Sequence, residues 1–81
     1  MKVKLFQKTQ RDLAASINEV IDKYWEDEID EDQMIKTIQQ LYAINQAKMV
    51  KGDKYTTVIR QQCGKRRLDI VSKVLENGLI K

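Results

Sequence analysis

No proline occurs anywhere in the 81 residues of the chain, and glycine occurs only three times. Proline inside a helix removes an N–H and collides with the preceding turn, and an interior glycine costs about 1 kcal/mol relative to alanine. A backbone with so few breaks favours long helices, and the apolar side chains then decide where those helices lie.

Leu13, Ile17, Val20, Ile21 and Tyr24 recur at helical spacing, whereas Arg11, Glu19, Asp22, Lys23 and Glu26 fall mostly off that stripe. Thr9 is placed as an N-cap, with Asp12 where a capping box would carry Glu or Gln. The pattern predicts a first helix over about residues 10–26, with Trp25 beside its stripe. The acidic run Glu26–Asp32 then holds a turn, and Asp30 with Gln33 fits a capping box. Met34, Ile35, Ile38, Leu41, Tyr42 and Asn45 continue the periodicity to about Met49, where Lys51-Gly52-Asp53 reads as a stop. So short a turn predicts that the two helices pack antiparallel.

Thr56 or Thr57 is placed to cap a third helix carrying Val58, Ile59, Cys63, Leu68, Ile70, Val71, Val74 and Leu75, with Asn77-Gly78 as its stop. Gly64 falls inside it. One bent helix keeps Ile59, Cys63, Ile70 and Val74 in phase, with Arg67 intruding; a break at Gly64 gives two helices instead. We adopt the bent helix. The ends, Val3–Phe6 and Leu79–Lys81, are expected as docked extended tails, since an isolated strand pair is marginal in water. The fold class is therefore all-α: one domain over residues 1–81, a helical hairpin plus a basic third helix bent or broken at Gly64. Its expected core is Leu13, Ile17, Val20, Ile21, Ile35, Ile38, Leu41, Ile59, Ile70, Val71 and Val74.

A chain this short buries only about 60% of the surface its unfolded form exposes. Cys63 is the single cysteine and histidine is absent, so neither an internal disulfide nor a zinc site supplements the core. Self-association into a homo-oligomer is expected instead. The lone thiol, the absence of an apolar run near 18 residues and the lack of a signal-peptide core predict a cytoplasmic protein without membrane contact.

Without histidine, a glycine-rich phosphate loop or a nucleophile elbow, the chain offers no recognisable catalytic centre. No enzyme activity, cofactor or metal is expected, and the carboxylates at 26–32 lack the calcium-loop spacing. Cys63 beside Lys65 and Arg66 has the neighbours of a reactive thiol, but its place on the apolar stripe suits a small core residue better.

Charge is segregated. Residues 12–33 carry nine acids against one lysine, and residues 48–73 carry eight basic groups against two acids. Separate acidic and basic surfaces suit steering towards a charged partner, or complement one another between neighbouring helices. Two functional readings follow. The first is a regulatory or inhibitory protein that binds a protein partner, with Trp25, Glu26, Asp27, Glu28 and Tyr55 as candidate interface. The second is a nucleic-acid-binding regulator, or a binder of a phosphorylated ligand, using Arg60, Lys65, Arg66 and Arg67. A helix-turn-helix normally carries a small residue where Arg60 stands. The plainer reading of those cations is pairing with the acidic patch.

Thr9-Gln10 leading into Leu13-Ala14, Tyr24-Trp25 before an acidic turn, and Gly64-Lys65-Arg66-Arg67-Leu68 resemble an uncharacterised family of small helical proteins of Gram-positive bacteria and their phages. The resemblance implies a bacterial or phage accessory protein and transfers no functional residues.

Overall fold

In a computed structural model, which describes residues 5–80 and the side chains of residues 5–76, the chain forms α1 (Gln10–Trp25), α2 (Glu31–Met49), β1 (Val50–Lys51), β2 (Lys54–Tyr55) and α3 (Thr57–Ile80). The fold is all-α in substance: an antiparallel helical hairpin with a third helix laid against it.

Both expected caps form. Thr9 Oγ1 accepts from the Asp12 N–H at 3.0 Å, and Asp30 Oδ1 accepts from the Gln33 N–H at 2.8 Å. Each takes up one of the backbone donors that a helix start leaves without an intrahelical partner. The turn between them is closed by Asp27, whose φ of 60° lies in the left-handed region. The Asp27 N–H donates to the Tyr24 carbonyl at 3.1 Å and the Glu28 N–H to the Lys23 carbonyl at 2.8 Å. That bonding is a Schellman motif, built on an aspartate where glycine is usual.

The core joins all three helices. Leu13, Ala14, Ile17, Val20 and Ile21 of α1 bury against Met34, Ile38, Leu41 and Met49 of α2, and against Ile59, Cys63, Leu68, Val71, Val74 and Leu75 of α3. Ile29 in the turn is buried with them. Two expected core residues, Ile35 and Ile70, are only half-buried at its edge. Both line a cleft between α2 and α3 that leaves one side of each residue open.

Gly64 leaves helical conformation altogether, with φ 79° and ψ 167°, so α3 is broken there rather than smoothly bent. Beyond the adjoining backbone, no heavy atom lies within 4 Å of where a Cβ would sit, so the requirement for glycine is one of backbone angle, not of space. The break frees carbonyls at the end of the preceding turn, and side chains take them up. Asn18 Nδ2 donates to the Gln62 carbonyl at 3.0 Å, and Arg67 Nη1 donates to the Cys63 carbonyl at 3.3 Å.

Asn45 is a second irregular point, with φ −118° and ψ 30° inside α2. Its side chain is 2% exposed and fully engaged. Nδ2 donates to the carbonyls of Leu41 at 2.9 Å and Leu5 at 2.6 Å, while Oδ1 accepts from the Gln7 N–H at 3.0 Å. The segment before α1 is thereby hitched to α2.

After α2 the expected stop is a two-residue hairpin turn, Gly52-Asp53, pairing Val50 with Tyr55 and Lys51 with Lys54. The Thr56 carbonyl accepts the first bond of α3 from the Arg60 N–H at 3.0 Å. Its hydroxyl turns back to donate to the Lys48 carbonyl at 2.9 Å. At the other end α3 runs through Asn77-Gly78 to Ile80, so neither the expected stop nor an extended Leu79-Ile80 is present. A glycine permits a left-handed stop without compelling one. Leu5 packs against the core and Phe6 is exposed, whereas Val3, Lys4 and Lys81, expected as parts of tails, lie outside the described residues. No described helix is long and apolar enough to cross a membrane.

Candidate functional site

The acidic end of α1 and the basic segment after Gly64 meet. Arg67 Nε and Nη2 both donate to Asp22 Oδ1, at 3.1 and 2.9 Å, and Nη2 also reaches Oδ2 at 3.1 Å. With Nη1 on the Cys63 carbonyl, every nitrogen of that guanidinium is engaged within the protein. Arg67 follows the plainer expectation, an internal ion pair, though its partner is Asp22 rather than the 26–32 run.

Trp25 sits over this pair. The Arg66 and Arg67 guanidinium carbons lie 5.3 and 5.7 Å from its ring centroid, within cation–π range. The indole nevertheless remains 42% exposed. It is held rather than covered. Glu26, Asp27 and Glu28 follow it directly, all exposed. Glu26 has its carboxyl pushed above the ordinary range by a hydrogen bond to Glu28 and by the charge on Glu28. Lys23 offsets part of that charge, with its ammonium 3.7 Å from Glu28.

The fold therefore unites Trp25, the acidic turn, Arg66 and Arg67 at one end of the helical hairpin. Lys65 is exposed beside them in sequence. Arg60 is elsewhere, on a notch of about 400 Å³ lined also by Gln10, Lys51, Lys54, Tyr55, Thr56 and Thr57. Tyr55 is half-buried, with its hydroxyl 2.7 Å from Ser72 Oγ, and burial raises its pKa. Neither Asp22 as a partner for Arg67 nor Lys51 and Lys54 beside Arg60 is legible along the chain. An i-to-i+45 pairing and a two-residue strand leave no periodic trace.

Cys63 is 2% exposed, its thiol 3.7 Å from the Ala14 carbonyl. Burial pushes its pKa up to about 11 against the opposing charge of Arg67, which leaves the thiol protonated and inert near neutral pH. Among the described residues, no three His, Cys, Asp or Glu side chains gather where they would hold a metal ion. A cleft of about 630 Å³ is lined by the apolar Met34, Ile35, Ile70 and Val74 together with the charged Glu31, Asp32, Lys36 and Lys73.

Residues 4–76 match a family model whose description is a conserved hypothetical protein. No curated protein and no solved structure matches the chain.

Proposed function

The chain belongs to this family of conserved hypothetical proteins, and we propose that it is a small non-enzymatic regulatory or inhibitory protein that binds a protein partner. The observation that carries the reading is the exposed Trp25 ring, held in place by Arg66 and Arg67. Tryptophan and arginine are enriched in binding hot spots, where a few well-packed side chains carry most of the binding energy. Here the ring is fixed before any partner arrives, which lowers the ordering cost of association. The flanking Glu26, Asp27 and Glu28 favour a partner with a basic rim around an apolar pocket.

The proposal includes a bacterial or phage setting, a cytoplasmic location and self-association, the last supported by Phe6 and Ile44 left 56% and 48% exposed. The alternative use of Lys65, Arg66 and Arg67 on nucleic acid is supported less, since Arg67 would have to surrender Asp22 and the Cys63 carbonyl.

The test is affinity capture from native lysate at low salt with quantitative mass spectrometry, comparing wild type with Trp25→Ala and Arg66→Glu. Proteins enriched by wild type and depleted about tenfold or more by either variant are the expected result. Recovery of the same proteins by folded variants removes this surface, and recovery of none counts against the whole reading.

A further inference from the structure

We propose that Lys51, Lys54 and Arg60 form a second binding site, for the phosphodiester backbone of duplex nucleic acid, distinct from the Trp25 surface. Lys51 and Lys54 are direct cross-strand partners in the β1–β2 hairpin, and like charges set opposite each other destabilise a strand pair. Arg60 brings a third cation to the same notch, whose lining includes no carboxylate. Lys54 stands between this notch and a neighbouring cleft that it lines with Asp53 and Glu76, whereas Lys51 and Arg60 line the notch only. Among the described residues the ion pairs are Lys23–Glu28 and Arg67–Asp22, so none of the three cations is held in an ion pair within the fold.

Gathering cations at a cost to the hairpin suits an anionic ligand. All three are exposed, and a single small anion on exposed cations is screened and held weakly. A polyanionic backbone differs, because each phosphate neutralised releases condensed counterions and the small gains accumulate. Gln10 and Thr57 add uncharged polar groups to the lining. The only aromatic there, Tyr55, is half-buried with its hydroxyl on Ser72. No free ring is offered for stacking on unpaired bases, so the notch fits a duplex backbone, read without regard to sequence, better than a single strand.

The test is fluorescence anisotropy of a mixed-sequence DNA duplex of about 20 base pairs with the full chain, at ~50 and ~200 mM salt. Three phosphate contacts give a slope of log affinity against log salt near −2.7, or about 40-fold weaker binding across that range. Each of Lys51→Gln, Lys54→Gln and Arg60→Gln is expected to reduce the slope by about 0.9 with an unchanged circular dichroism spectrum. Trp25→Ala is expected to bind the duplex as wild type does, which separates this site from the protein-partner reading. The proposal is overturned by no binding at ~50 mM, or by losses that follow Lys65→Gln and Arg66→Gln instead. It is equally overturned by tighter binding to single strands, or by displacement of the duplex by inorganic phosphate at matched ionic strength.

Discussion

Arg67 and Asp22 lock α3 to α1 through a forked pair, with two guanidinium nitrogens 2.9–3.1 Å from one carboxylate. The side chains keep 31% and 42% of their exposure, so solvent screens the pair and limits what it contributes. A double-mutant cycle with Arg67→Ala and Asp22→Ala, read by urea denaturation, should give a coupling of about 0.5–1 kcal/mol. Arg67→Lys should recover little of it, because an ammonium cannot fork across the carboxylate and reach the Cys63 carbonyl at once. A coupling near zero would make the pair incidental.

Asp27 occupies a left-handed position where a side chain is strained and a negative charge opposes the end of the α1 dipole. Asp27→Gly removes both penalties while adding some freedom to the unfolded chain. The expected net effect is stabilisation of about 0.5–1 kcal/mol, seen as a raised thermal midpoint. Asp27→Val should lower it, since a β-branched residue is a true outlier there.

Asn45→Ala leaves the Leu5 and Leu41 carbonyls and the Gln7 N–H without their side-chain partner. The expected cost is about 1–3 kcal/mol, together with faster proteolytic cleavage before Gln10. Asn45→Asp should cost more than Asn45→Ala, because it turns an acceptor towards two carbonyls and buries a charge.

Cys63 holds its proton more tightly in the folded protein, near pH 11, than at its ordinary value of 9.0. The stability this contributes is complete below about pH 9 and is lost as pH rises through the interval to about 11, where only the unfolded thiol ionises freely. Tyr55 is also shifted upward by burial, so the informative quantity is a difference. Cys63→Ala should show a shallower loss of stability from pH 9 to 11 than wild type, measured by chemical denaturation at each pH.

The parts of this fold legible in the sequence are those set by neighbours along the chain. Thr9 and Asp30 were readable as caps because a cap needs only the residues three positions on. The stripe from Leu13 to Ile21 was readable because one unbroken helix preserves its phase. Beyond the break at Gly64, Leu68, Val71, Val74 and Leu75 are buried while Ile70 is only partly covered, so the phase carried from Ile59 and Cys63 finds Val74 but not Ile70. Asn45 interrupts the apolar stripe because its side chain brackets Leu5 and Gln7, some 40 positions away. For the candidate site, composition pointed to Trp25 and the basic run but not to their contact. Only the packing of α3 on α1 separates Arg67, which is engaged internally, from Arg66, whose guanidinium faces an exposed ring.

The break at Gly64 also bears on the order in which the molecule takes shape. Its freed carbonyls are met by Asn18 and Arg67, and Arg67 is itself placed by Asp22, so closing this joint draws on residues 44 and 45 positions apart. Loops of that length close against a larger entropy cost than the neighbouring turns do. We therefore expect the joint to form after the rate-limiting step, on the native side of the folding barrier. Stopped-flow fluorescence of Trp25, the single tryptophan, should then show the Asp22 and Arg67 variants refolding at nearly the wild-type rate and unfolding faster. A joint of this kind would do little to guide folding and would lengthen the time the finished molecule lasts before it opens by a few-fold.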